Sequence, residues 1–245
     1  MSENVILEGQ ITIQAVLESQ SRPLYSITIQ DNKKRQFGHL IRQAKIQNIP
    51  IHYQKRDAIS KHANGNSHGG IIAIAGERHY VTLEDLATQS ENPFVVMLDG
   101  IEDPYNFGQA IRALYAAGAH GLVLRDRNWL SAAGIVARSA AGTSERIAIA
   151  RIDSPGDAVQ HFKERGFSVV CTANQSNAQP LHKANLRGAL FMVIGGEKRG
   201  IAKSILKQAD TLIRIPYARR FAYSLGATAA ASVIAFEVAR QRGLS

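Results

Sequence analysis

From Pro93 onward the chain alternates apolar runs of strand length with stretches of helical spacing, and this alternation constrains the fold more than any other feature. "PFVVMLDG" reads as a strand, "QAIRALYAAGA" as a helix, "GLVLRD" as a strand and "SAAGIVARSAAGTSE" as a helix of small residues. "IAIARI", "FSVVCTA", "ALFMVIG" and "TLIRIP" continue as strands, with "SPGDAVQHFKERG" and "IAKSILKQA" as helices between them. A long alanine-rich helix, "GATAAASVIAFEVARQR", follows the last strand. Apolar strands separated by helices imply a mostly parallel sheet covered on both faces, because parallel neighbours need crossovers and crossovers place helices on the faces. The earlier part carries a shorter α/β series of its own. "LYSITIQD" alternates as a strand, "RQFGHLIRQAKIQN" spaces Phe37, Leu40, Ile41 and Ile46 as a helix face, and "IPIHYQ" and "GGIIAIAGE" read as short strands. "RHYVTLEDLATQSENP" breaks the series. The expected organisation is a small α/β domain over residues 1–85 and a larger one over residues 92–245.

A hydrophobic share of 45% and a charged share of 20% are those of a water-soluble globular chain. No apolar run approaches the ~18–20 residues needed to span a membrane. The opening "MSENVILEGQ" lacks the basic and apolar regions of a signal peptide, so a cytoplasmic location is expected. The single cysteine, Cys171, excludes an internal disulfide and any multi-cysteine zinc site, and its setting reads as a buried strand. His62 and His68 in "SKHANGNSHGG" have only Asp57 nearby as a carboxylate, so no metal is expected there. The net charge of +9 is unevenly spread: residues 1–88 carry ten Lys/Arg against eight Asp/Glu, whereas residues 196–245 carry nine against three. Basic charge gathered in one part of a chain points to a polyanionic partner, with nucleic acid the leading candidate.

In open α/β sheets ligands bind outside the carboxyl ends of the strands. Three loops stand there: "DGIEDPYNFGQAIR", "VIGGEKRGI" and "IRIPYARRFAYSLGATAAAS". The first leads into a helix with one arginine, Arg112, among small and apolar residues. Its helical neighbours are Gly108, Gln109, Tyr115 and Ala116, none of them acidic, so a partner from outside the helix is expected. Familiar nucleotide motifs are missing. "GGEKRGIAKS" has no Gly-Lys-Ser/Thr to close a P-loop, no G-x-G-x-x-G follows a first strand, and neither HExxH nor GxSxG occurs.

Taken together and in order, the three loops resemble the signature motifs of the SpoU (TrmH-like) branch of the SPOUT superfamily of RNA 2'-O-ribose methyltransferases. "DPYNFGQAIRAL" resembles the first, Asn-x-Gly-x-x-x-Arg; "IGGEKRGI" the second, Gly-x-Glu-x-x-Gly; and "RIPYARRFAYSLGATAAASVIAFE" the third, Ile-Pro, then Ser-Leu-Asn, then a small-residue helix ending in an acid. The first 80 residues resemble the substrate-binding domain that often precedes the catalytic one, including "HGGIIA". The resemblance implies a C-terminal domain with a trefoil knot, S-adenosylmethionine as methyl donor, no metal, and a homodimer with its site near the interface. The implied substrate is the ribose 2'-hydroxyl of an rRNA or tRNA.

By the same resemblance, Asn106 and Glu197 order the site and Ser224 lies beside cofactor or substrate. Backbone around Gly195, Gly196, Ile215 and Leu225 cradles S-adenosylmethionine. Arg112 either pins a phosphate bidentately or stands beside the oxyanion that develops as the hydroxyl loses its proton. Asn106 and Ser224 also suit helix capping, and Glu197 a pairing with Lys198 or Arg199. One departure is plain. Gly226 stands where the third motif has asparagine, and the preceding "YARRFAY" is slightly long and carries two arginines. A neighbour such as Thr228 would have to substitute for the asparagine, so two readings stay open: an active methyltransferase, or a non-catalytic RNA-binding protein that retains the fold. An unrelated Rossmann-like enzyme is opposed by the missing glycine fingerprint.

Overall fold

The second, larger sheet shows why the apolar runs are continuous rather than alternating. The computed structural model describes residues 4–63, 68–125, 132–196, 200–220 and 222–243. They group into two compact units, one from Met1–His79 with Asn128–Arg146, the other from Tyr80–Arg127 with Ile147–Ser245.

In the first unit, strands β1 (Val5–Glu8), β2 (Leu24–Gln30), β3 (Ile51–Gln54) and β4 (Ile71–Ala75) form a sheet in the order β1-β4-β2-β3. β4 pairs antiparallel with β1 and β2, and β3 runs parallel to β2. Helices α1 (Gln10–Ser19), α2 (Gly38–Ile46) and α3 (Arg56–His62) accompany it. Leu7, Ile13, Leu17, Ile27, Ile29, Phe37, Leu40 and Ile71 are fully buried in its core. Ile46, expected on the core face of α2, is 80% exposed: it is the last residue of the helix, and Ala44 fills the inner position instead.

The segment expected as one small-residue helix of the larger domain joins this first unit. It is two helices, α6 (Ala133–Ser139) and α7 (Thr143–Arg146), and Ala137 lies in the core of the first unit. The break falls at Ala141 and Gly142, both at positive φ (49° and 75°). A β-carbon at Gly142 would press on Ala15 at 2.9 Å, so glycine both permits the turn and lets the chain reach α1. Glu145 then buries its carboxylate against Arg22, with Oε1 accepting from Nη2 at 2.9 Å and Oε2 from Nε at 3.0 Å. Ser21 donates to the same carboxylate at 2.7 Å, and Arg78 approaches it at 3.4 Å. Burial alone pushes this carboxyl up, and the two arginines and their hydrogen bonds outweigh it, leaving it below the usual carboxylate range.

The second unit contains β5 (Phe94–Asp99), β6 (Gly121–Arg125), β7 (Ala148–Ile152), β8 (Ser168–Thr172), β9 (Gln179–Pro180), β10 (Leu190–Gly195) and β11 (Thr211–Arg214), in the order β7-β6-β5-β10-β8-β11-β9. Every pairing between them is parallel. All six residues of β5 are buried, as a strand covered on both faces requires. On one side, α4 (Leu83–Ala87) and α8 (Pro155–Glu164) complete a core of Leu86, Val95, Met97, Val123, Phe162, Cys171, Phe191 and Val193. The Phe162 and Phe191 rings stack at 4.4 Å. Truncating a ring so placed costs about 3–5 kcal/mol. Elsewhere in the unit α5 (Pro104–Ala116) and α10 (Ala227–Gln241) pack along each other, and α10 also meets β10. The two-residue β9 and a helix α9 cut to Lys203–Leu206 are the main departures from the expected element series.

Candidate active site

The carboxyl ends of β8, β10 and β11 open onto one cavity of about 500 Å³. Thr172 to Asn174, Ile194 to Gly196 and Gly200, and Ile213 to Ile215 line it from the strand ends. Tyr217, Arg219, Arg220, Tyr223, Ser224 and Leu225, with the inner face of α10, close the other side. Its size is that of a small-molecule site. Much of the wall is aliphatic side chain and glycine backbone, with no Asp or Glu among the described lining residues. No group of metal-ligating side chains occurs among the described residues.

Five of the residues singled out in the sequence meet here: Gly195, Gly196, Ile215, Ser224 and Leu225. The requirement for glycine at 196 is steric. Its N–H donates to the Asp99 carbonyl at 2.6 Å, and a β-carbon would collide with the main chain of Gly100, itself at φ 89°. The Gly195 N–H donates to Thr172 Oγ1 at 3.2 Å. The loops after β5, β8 and β10 are thus pinned together by backbone that has no room for side chains. The Tyr217 hydroxyl accepts from the Leu225 N–H at 2.9 Å, so these two lining residues are joined directly.

The first motif sits differently. Asp103, not Asn106, caps α5: its Oδ1 accepts from the Asn106 N–H at 2.7 Å, and Pro104 occupies the first helical position. Capping is therefore not the role of Asn106, which is exposed and whose main-chain carbonyl accepts from Thr228 Oγ1 at 3.0 Å. Arg112 is exposed, has no hydrogen-bonding or ionic partner among the described residues, and does not line the cavity. Ser224 does not cap α10 either; that position belongs to Gly226, at φ −54° and ψ 146°, with no side chain to offer the helix. Glu197 lies outside the described residues.

Thr172 and Asn174 at the end of β8 line the cavity without having been singled out in the sequence; the two arginines of the third loop, Arg219 and Arg220, were noted there only as part of a long loop, and they line the cavity together with Tyr217 and Tyr223. Polar residues directly after an apolar strand were the available signal for the first pair, and the rule that ligands gather at strand carboxyl ends would have found them. Cys171, one residue before Thr172, is fully buried, and burial with the nearby Asp210 carboxylate pushes its thiol up to about 12. It is an inert core residue. Of the histidines considered as ligands, His68 is buried, its Nδ1 accepting from the Gly70 N–H at 3.1 Å and its Nε2 paired with Ser60 Oγ at 3.1 Å. No helix among the described residues is long and apolar enough to cross a membrane.

Comparison with known proteins agrees with this layout. Residues 93–236 match the SpoU rRNA Methylase family, and residues 6–81 match the domain described as RNA 2'-O ribose methyltransferase substrate binding. The Bacillus subtilis protein YacO, named for the TrmH family of tRNA/rRNA methyltransferases, is 33% identical over 235 residues, 93% of each chain. The 23S rRNA (guanosine-2'-O-)-methyltransferase RlmB of Shewanella oneidensis is 28% identical over 246 residues, 99% of each chain. Among solved structures, the AdoMet-bound rRNA methyltransferase from Sinorhizobium meliloti superposes with a TM-score of 0.81 at 23% identity, over 97% of this chain and 87% of that one. AviRb from Streptomyces viridochromogenes, in complex with AdoMet, gives 0.81 at 21% identity over 99% and 92%. These two establish a shared fold, and with the sequence matches they lead to one conclusion: the chain belongs to the SpoU rRNA methylase family.

Proposed function

We propose that this protein transfers a methyl group from S-adenosylmethionine to a ribose 2'-hydroxyl of rRNA or tRNA, in the cytoplasm. The observation that carries the reading is the convergence of the second and third family motifs on one largely aliphatic cavity with glycine backbone in its wall. Such a wall fits the cofactor's chemistry: aliphatic side chains for an adenine ring, main-chain groups for its polar edge, and no metal. Gly195, Gly196, Ile215 and Leu225 are the residues that would hold it, with Ser224 beside it. When bound, the cofactor supplies an electrophilic methyl on a sulfonium. We assign residues 1–85 to RNA binding and residues 92–245 to methyl transfer. The C-terminal trefoil knot belongs to the same reading, since it would bring loops distant in sequence around one cavity.

The chain's own tasks are to hold the hydroxyl in reach and to stabilise the charge that develops on it. Arg112 suits the second, as a fork that pins a phosphate or neighbours the oxyanion. It does not take the proton, because a guanidinium stays protonated in proteins; water or a phosphate oxygen accepts it. Asn106 and Glu197 order the surroundings.

Arg112 stands away from the cavity of its own chain, on a helix pair that exposes Tyr105, Tyr115, Val233 and Phe236 by 57%, 39%, 44% and 54%. A homodimer that buries this face and brings Arg112 of one copy toward the cavity of the other accounts for both facts. The second reading, an RNA-binding protein without catalysis, rests on Gly226. Calorimetry with S-adenosylmethionine and S-adenosylhomocysteine, followed by transfer of a labelled methyl to rRNA and tRNA, separates the two. Binding with transfer supports the enzyme; RNA binding without cofactor binding supports the alternative.

A further inference from the structure

The loop between β11 and α10 carries charge that methyl transfer as described above does not use. Arg219 and Arg220 line the cavity and are exposed. Neither has a hydrogen-bonding or ionic partner among the described residues, and no described residue of the cavity wall is acidic. The other lining arginine, Arg214, is occupied, its Nε donating to the Ala178 carbonyl at 3.1 Å. The bond from the Leu225 N–H to the Tyr217 hydroxyl ties together two cavity-lining residues, one on each side of the arginine pair in sequence. Tyr223, beside them and also lining the cavity, is 76% exposed.

Two adjacent exposed cations lining a cavity call for an anion with more than one charge along its length. A single carboxylate occupies one guanidinium; a phosphodiester strand presents a charge at each nucleotide, and arginine forks match it. A ribose hydroxyl reaches a recessed cavity only if its nucleotide leaves the stack, and an exposed aromatic ring is the usual support for an unstacked base. We propose that Arg219 and Arg220 grip the phosphates of a single-stranded RNA segment flanking the target nucleotide, with Tyr223 stacking on an unpaired base. This rests on the methyl-transfer reading for the identity of the target, and it makes the loop the part of the site that selects single-stranded over duplex RNA.

The test uses the full chain, a fluorescently labelled single-stranded RNA oligonucleotide and its duplex, titrated across a salt series. Double replacement Arg219→Ala/Arg220→Ala is expected to make the slope of log affinity against log salt shallower by about 1.4, since each single-strand phosphate contact contributes about 0.7. S-adenosylmethionine affinity is expected to stay within about twofold of the parent, and Arg219→Lys/Arg220→Lys to keep most of the slope. Tyr223→Ala is expected to weaken single-strand binding roughly tenfold and leave the duplex unchanged. An unchanged slope overturns the grip. A loss of cofactor affinity in the double alanine variant overturns it too, by showing that the arginines hold the cofactor's carboxylate. Failure of the parent protein to bind S-adenosylmethionine, with the salt arm as expected, sinks the methyl-transfer reading and supports the grip.

Discussion

The hydroxyl of Thr228 donates to the main-chain carbonyl of Asn106 at 3.0 Å, joining the first turn of α10 to the first turn of α5. The third family motif is thereby tied to the first through a backbone group, and the asparagine side chain is left out of the tie. Thr228→Val removes the bond at nearly constant shape. A stability loss of no more than about 1 kcal/mol is expected, because the bond is exposed and exchanges with water. Cofactor affinity should hold while kcat falls severalfold, since the cavity is intact and Asn106 has lost its register. Asn106→Ala keeps this bond and removes the side chain that it positions, so a kcat loss at least as large is expected there; an unchanged kcat in Thr228→Val would argue against the tie.

Gly226 marks a gap in capping more than a gap in the fold. Its backbone is extended and suits any residue, and the helix it precedes has no side-chain cap. Gly226→Asn should therefore stabilise the protein by a few tenths of a kcal/mol, the usual margin between these residues at this position. With Thr228 holding the two motifs together, transfer in the parent is expected to be within about tenfold of the Gly226→Asn variant, less than the ~10²–10³ lost with an oxyanion-stabilising donor. Side-by-side thermal melts and methyl-transfer rates check both. Activity gained only with asparagine would favour the RNA-binding reading for the natural chain.

What could be read from the sequence follows how local each signal was. The strands β5, β6, β8 and β10 announce themselves because burial on both faces leaves unbroken apolar runs. The resemblance picked out Gly195 and Gly196, but nothing local gives the reason for Gly196, which is the main chain of Gly100 arriving from another loop. Nothing local shows that the helix "SAAGIVARSAAGTSE" breaks at Ala141 and Gly142, or that Glu145 meets Arg22 across more than a hundred residues. Asp103 was hidden in a different way. It precedes Pro104 and is an obvious cap, yet the family pattern draws the eye to Asn106 three positions on. The cavity-lining Tyr217 and Arg219 lie where the loop departs from its relatives' motif, so resemblance gave no guidance there.

Arg112 is exposed and has no partner among the described residues, which separates folding from chemistry. Arg112→Ala should leave the melting temperature unchanged and lower kcat by roughly 10²–10³, the loss typical of removing one donor from a developing oxyanion. Arg112→Lys should recover little, because an ammonium does not reproduce a two-pronged contact. If the arginine serves the cavity of a second copy, mixing Arg112→Ala with a cavity-filling Leu225→Trp protein restores activity in the hybrid dimers. No restoration on mixing would place Arg112 at its own cavity.

Glu145 ties acid stability to the first unit. Its side chain is 2% exposed and that of Arg22 is 5% exposed, so Glu145→Gln leaves a buried guanidinium without its counter-charge. A loss of about 3–5 kcal/mol at neutral pH is expected. The native carboxyl titrates below its unfolded value: burial opposes this and the Arg22 and Arg78 charges prevail. In the window between the two values the unfolded chain holds the extra proton, so stability rises with pH there. The contribution is complete above the unfolded pKa, about 4.3 in peptides, and is lost as pH falls through the lower native value. Urea unfolding of the parent and of Glu145→Gln, from neutral pH downward, should show a gap that is constant above about pH 5 and narrows below it. A gap that stays the same width at all pH values would mean that the carboxyl at 145 makes no ionic contribution, and that the loss on substitution is one of packing and hydrogen bonding alone.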